Sequence, residues 1–443
     1  MYFILVFLLV ICLSIFDGSA SSAVLMSFIL LGGMLSCLTL PLKKRKDGFR
    51  LFTITYCVYI LVAFVASLSF SANQFFYVSD SMRYISEYIG RTTFYYSADD
   101  FYRCYFEFSD SNLLYNAYLN VISLLMNKHY GGMSVYGMTL CQTLFGVLST
   151  MVMYRIFLRH FDDKFAFRQV LLFSLFSPFL IYSSLIVRDI VICFLFLLAF
   201  DVVDRKFSIL GLIKLVIIML LAWGIRLYSG LFVSVFIWYY IQIYFRKSSL
   251  KSFGTVLSVS LGAIALVAIV SSSLMEQTSE ELAVYEELSS ERSAGGVLSR
   301  LMNLPPGIRH LAIVLFAMIR PLPPFIVYAK VESFSNFAIA TMALVSGFFW
   351  FVIFYAHAAL LAFKNQLKRM KYEEVLLLGI CFLFLLGNAA HPDVRRMTPV
   401  FPALYMFFSL SMIEPQNSNS VKKYKQSLVS FYIVMAFALL VMV

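Results

Sequence analysis

Residues 208–247 read SILGLIKLVIIMLLAWGIRLYSGLFVSVFIWYYIQIYFRK. Before the closing Arg246-Lys247, only Lys214 and Arg226 carry charge. A membrane helix needs ~20 mostly apolar residues. This stretch supplies two such runs, 208–225 and 228–245, with Arg226 between them. The whole chain has the same character. Of its 443 residues, 61% are apolar or aromatic and 13% are charged, and its mean hydropathy is +0.84. Soluble domains run near ~45–50% apolar and ~25% charged. A soluble fold, a disordered chain and a disulfide scaffold are therefore excluded. The expected fold class is all-α, a polytopic helical membrane protein.

Working outward, apolar runs predict thirteen spans: 2–16, 22–42, 51–70, 133–157, 169–187, 190–203, 208–225, 228–245, 252–275, 337–363, 374–390, 397–413 and 427–443. The run at 190–203 is too short to cross upright without its neighbours. The first run lacks the basic segment that opens a signal peptide, so it reads as a retained helix. The seven cysteines show neither pairing nor metal-ligand spacing.

The net charge of +11 does not indicate nucleic acid, because the cations form no single patch. They sit in short runs between spans: 43–50, 155–168, 205–206, 246–251, 364–371 and 422–425. Every second connection is basic. The positive-inside rule makes these cytoplasmic, with the N-terminus inside and the C-terminus outside. Two long outer loops remain within the single membrane domain 1–443: 71–132 and 276–336. Within the first, 113–126 is apolar enough to lie in the interface or dip into the protein. In the second, the apolar run ending at Arg320-Pro-Leu-Pro-Pro324 reads as re-entrant or interfacial over 311–329, since the prolines cannot continue a helix.

Sorted by side, the cations differ in kind. The inner loops are lysine-rich, whereas the outer side carries eleven arginines against two lysines. Topology does not distinguish the two residues, but anion binding does. Guanidinium is planar, always charged and forked to match phosphate or carboxylate. Arg188, Arg226, Arg320, Arg395 and Arg396 each sit at the outer end of an apolar segment. Together they predict a pocket for a polyanion bearing a lipid tail, of which a lipid diphosphate is the leading candidate. Snorkelling of long side chains toward water is the alternative. Candidate acids and bases nearby are Asp80, Asp189 and His391, with solvation or capping as the alternative for each. No phosphate loop, dinucleotide fingerprint or zinc motif appears, and neither metal nor cofactor is expected.

These residues resemble the bacterial oligosaccharide repeat-unit polymerases of the O-antigen and exopolysaccharide pathways. The likeness rests on Asp80 with Arg83-Tyr84, on Ser177-Pro-Phe-Leu-Ile181 leading to Arg188-Asp189, and on Gly224-Ile-Arg226. Arg320-Pro-Leu-Pro-Pro324 and Arg395-Arg396, followed by Pro399 and Pro402, complete it. It spans most of the chain and is carried more by topology and outer arginines than by any fixed motif. The resemblance implies a bacterial plasma-membrane enzyme that uses two polyprenyl-diphosphate-linked glycans. The growing chain leaves its carrier and joins the incoming lipid-linked unit. The arginines would hold the diphosphate, Arg83 and Tyr84 would contact glycan, and Asp80, Asp189 or His391 would take the acceptor proton. A chain-length-regulating membrane protein is a candidate partner, besides membrane lipids. Two other readings remain: a glycosyltransferase using a polyprenyl-monophosphate donor, and a lipid-linked oligosaccharide flippase. The position of the first large loop, after the third span, disfavours the former. The long outer loops disfavour the latter.

Overall fold

The computed structural model describes residues 2–72, 79–107, 112–247, 304–305, 308–319, 334–343, 345–346, 372–387 and 394–410. Among these the regular structure is entirely helical. In chain order the helices are α1 (Tyr2–Asp17), α2 (Ala20–Leu38), α3 (Arg45–Ala72), α4 (Ser79–Tyr88), α5 (Ala98–Tyr102) and α6 (Leu113–His129). Then follow α7 (Val135–His160), α8 (Asp163–Phe176), α9 (Pro178–Tyr182), α10 (Asp189–Val203), α11 (Ile209–Ile225) and α12 (Leu227–Lys247). The rest are α13 (Ile308–Ile319), α14 (Phe334–Ala343), α15 (Tyr372–Gly387), α16 (Val394–Met397) and α17 (Phe401–Leu410). Among the described residues three segments are long and apolar enough to cross a membrane: α2, the run Leu42–Leu68 that is mostly α3, and α7. Helices α1, α11, α12, α14 and α15 are apolar but shorter. The expected spans 252–275 and 427–443 lie outside the described residues, as does most of 337–363.

Helix α7 is the hub, packed on α2, α3 and α10. Tyrosine hydroxyls cross between helices to take up backbone carbonyls. Tyr56 donates to Met26 O at 3.0 Å, Tyr59 to Ser174 O at 3.0 Å and Tyr136 to Ile60 O at 3.1 Å. A buried phenol needs such a partner, and carbonyls in an apolar interior offer it.

The connections meet in two sets. In one, the Asp17 carboxylate accepts from Ser22 and, at 2.8 Å, from Ser134, tying the α1–α2 turn to the start of α7. In the other, Lys44 pairs with Asp163, while Arg155, Arg159 and Arg205 converge on Asp201. Every connection in a set is one the charge pattern assigns to the same side. Helix α10 ends at the second set, and its first residue, Asp189, lies about 18 Å from Asp201 at 1.5 Å per residue.

One expected element differs. The run 169–187 is not a continuous helix. Ser177 ends α8, and its hydroxyl accepts the Phe179 N–H at 3.3 Å, while Pro178 opens α9. Proline lacks the donor a continuing helix requires but suits a first helical position. After Tyr182 the chain is irregular as far as Arg188, although Ser183–Val187 is buried. Buried irregular backbone must find partners. Thr143 Oγ1 donates to Ser183 O at 3.2 Å, and Ser81 Oγ donates to Ile186 O at 2.9 Å. Gly146 gives α7 room to approach: a Cβ there would sit 2.5 Å from Ser183 Cβ.

In the first long loop, 113–126 belongs to α6, whose buried polar face organises the loop before it. Asn120 accepts the Tyr95 N–H and donates to Thr93 O, both at 3.1 Å, and Ser123 donates to Tyr88 O.

Candidate functional site

The irregular segment delivers Arg188 and Asp189 to the N-terminus of α10. A carboxylate in a first turn opposes the positive end of the helix macrodipole. Arg226 arrives from a different hairpin. It is the single residue between α11 and α12, extended at φ −164° and ψ 117°. Its N–H still bonds Ala222 O at 2.9 Å, and its carbonyl receives the Ser229 N–H at 2.9 Å, so the turn needs no loop. Gly230 makes so tight a turn possible, because a Cβ would lie 2.8 Å from Trp223 Cα. Arg395 comes from α16, held near α10 where Cys193 Sγ donates to Thr398 O at 3.7 Å.

These segments, remote in sequence, meet at one carboxylate. Asp189 is 1% exposed. Its Oδ1 accepts Arg226 Nη1 at 2.6 Å, and its Oδ2 lies 3.8 Å from Arg395 Nε. The Arg226 guanidinium also sits 5.1 Å from the Tyr228 ring centroid, a cation–π contact. Arg188 does not pair with its neighbour Asp189. Its Nε and Nη1 are buried and have no hydrogen-bond partner among the described residues. Arg226, Tyr84, Tyr228 and Asp189 act on it electrostatically. Arg396 is half-buried and acts electrostatically on Asp189. Several guanidinium groups thus act on one buried carboxylate, and Arg188 keeps two buried donors that no described residue takes up. Donors of that kind suit an anion.

Helix α4 lies against this cluster. Ser81 holds it to the backbone two residues before Arg188, and buried Tyr84 packs edge-on against Tyr115 at 5.0 Å. Asp80 occupies the first turn of this docked helix. Arg83 is placed differently from Tyr84. It is exposed and bonded to Glu87 at 2.7 Å, and that bond pushes its pKa above the ordinary arginine value. Exposed aromatic groups follow: Phe94 and Tyr95, then Tyr102 stacked on Phe106 with centroids 5.0 Å apart. The Arg91 guanidinium lies 4.7 Å from the Tyr95 ring. Hydrogen bonds from Thr93 and then Arg91 hold the Tyr95 hydroxyl below its ordinary pKa.

Of the residues expected at the site, the structure gathers Arg188, Asp189, Arg226, Arg395 and Arg396, with Tyr84 beside them. Arg320 and His391 lie outside the described residues. Sequence reading passed over Tyr228, Tyr102 and Phe106. Tyr228 had one signal, an aromatic two residues after an arginine at a helix junction. It also passed over Asp201 and Asp204, two acids closing an apolar run. Asp204 accepts from Arg159 Nε at 2.6 Å and lies 2.7 Å from His160 Nε2. Among the described residues no three His, Cys, Asp or Glu side chains gather closely enough to hold a metal ion. Comparison with family models, curated proteins and solved structures finds no match.

Proposed function

We propose that the chain is a bacterial plasma-membrane protein of about thirteen spans, N-terminus inside, that polymerises polyprenyl-diphosphate-linked oligosaccharide repeat units at its outer face. The observation that carries this reading is the buried arginine cluster around Asp189. Arg188 holds unpartnered donors beside two arginines that are already oriented. A diphosphate presents the oxygens that guanidinium forks bind best. Its polyprenyl tail suits a site among apolar helices. Arg320 joins these arginines as a further proposed ligand.

In the proposed reaction, the acceptor hydroxyl of the incoming unit attacks the anomeric carbon of the growing chain. A new glycosidic C–O bond forms as the bond to the diphosphate breaks. The leaving polyprenyl diphosphate takes the electron pair, and the arginines neutralise its growing charge. Asp189 orients Arg226 and Arg395. Committed to them, it is a poor acceptor for the hydroxyl proton. Asp80 on α4 is the better candidate for that role, with His391 as the competitor. The exposed aromatic rings of the first loop offer faces for sugar stacking.

The test is genetic. A strain lacking the chain should display single repeat units in place of a polymer ladder, and the wild-type gene should restore the ladder. Asp80→Asn, expressed at wild-type level, should leave single units. Complete loss of surface glycan in the deletion strain would point instead to a flippase or an earlier transferase.

A further inference from the structure

At the opposite end of α10 from the arginine cluster, a cavity of about 600 Å³ opens between α10, α11 and α12. Arg155, Arg205, Lys206 and Lys214 line it, with Asp201 as the only acid among the described residues. That acid is already engaged, because Arg155 Nη2, Arg159 Nη1 and Arg205 Nη2 approach it at 2.7, 2.8 and 2.9 Å. Lys206 and Lys214 are exposed, and no described carboxylate pairs with either. Lys206 and Lys214 are therefore the cations on this wall that no described carboxylate engages.

Lys214 is otherwise hard to explain. It is the sixth residue of α11, about 7.5 Å into an apolar helix. A cation at such a depth is costly unless it faces a polar cavity or an anion. The remaining walls are apolar, including Leu195, Leu198 and Leu221. The rim continues onto Leu210 and Ile217, which are 61% and 52% exposed. A cationic floor beside an apolar, outward-facing wall matches an amphiphile with an anionic head.

We infer that this cavity binds an anionic phospholipid, with the headgroup phosphate between Lys206 and Lys214 and an acyl chain along α11. By the charge pattern this is the cytoplasmic leaflet, where anionic headgroups are drawn to basic pockets between helices. The inference needs only that the chain spans a membrane. It does not depend on what the arginine cluster binds.

The test uses the full-length protein, purified and delipidated, with native mass spectrometry reading bound lipid. The probes are phosphatidylglycerol and phosphatidylethanolamine with identical acyl chains. The wild type should retain phosphatidylglycerol preferentially. Lys206→Gln with Lys214→Gln should weaken that binding about 30-fold, from roughly fivefold per cation near the headgroup. A second variant, Ile217→Trp, keeps both lysines and fills the apolar wall, and it should also lower retention. The wild-type preference does not depend on either variant folding. Equal retention of the two lipids, or a preference unchanged in the double lysine variant, would overturn the inference. So would displacement of phosphatidylglycerol by inorganic phosphate, which would mark the cavity as a site for a soluble anion.

Discussion

Asp189 and Arg188 are adjacent in the chain and differ in what they hold. Asp189 bridges Arg226 and Arg395, and all three are buried, so removing its charge takes the carboxylate partner from a buried Arg226. Breaking such a buried pair costs about 3–5 kcal/mol. Asp189→Asn should therefore lower the thermal unfolding midpoint in detergent. Arg188 has no ion pair among the described residues, so Arg188→Lys should leave that midpoint near wild type. Equal destabilisation by both variants would show that Arg188 is structural, like its neighbour. The convergence of these arginines was partly legible in the sequence, because each stands at the end of an apolar run and lysine is avoided there. The pairing was not. Asp189 and Arg226 are 37 residues apart, and Arg395 is far beyond both. No periodicity encodes a contact of that kind.

At the scale of elements, Ser81 anchors the start of α4, next to Asp80, to Ile186 O. Ser81→Ala removes one hydrogen bond and leaves a buried carbonyl short of a donor, a cost of about 1–3 kcal/mol. It should shorten the polymer ladder while leaving the protein in the membrane. A normal ladder would mean that the position of α4 does not matter to the reaction. Helix α5 provides a pH test. The Ser97 N–H and then the Ser97 hydroxyl hold the Asp100 carboxyl below its ordinary pKa, closing a capping box. The sign follows from a depressed folded-state value. The cap's stabilisation is present above the unfolded pKa, about 3.9, and is lost as pH falls through the lower folded value. Amide exchange over 98–102, corrected for intrinsic rates, should keep its protection from pH 7 to 5 and lose it below the folded value. Loss of protection at pH 5 would contradict the cap. Uninterrupted apolar runs such as 208–225 were readable as helices within a few residues. The break in 169–187 was signalled by Ser177-Pro178 but masked by the apolar residues around it, which satisfy a span count regardless of backbone path.

For the molecule as a whole, sidedness is the quantity on which both proposed sites depend. The ion pairs around Asp201 and the Asp189 cluster lie at opposite ends of α10, so they belong to opposite sides of any membrane that α10 crosses. In a chain otherwise free of cysteine, Asp99→Cys should react with an impermeant thiol reagent in intact spheroplasts, and Lys206→Cys should react only after lysis. The reverse pattern would move the arginine cluster to the cytoplasm and end the polymerase reading.

In the proposed reaction guanidinium forks, Arg188 foremost, bind and stabilise a departing lipid diphosphate. The most direct measurement is polymerisation by the purified protein in proteoliposomes supplied with a polyprenyl-diphosphate-linked repeat unit. The wild type should produce a ladder. Arg188→Lys should fold normally yet be slower by at least about 100-fold, the loss typical of one misaligned transition-state donor. A ladder from Arg188→Lys formed at the wild-type rate would contradict that role, because lysine keeps the charge and lacks only the fork.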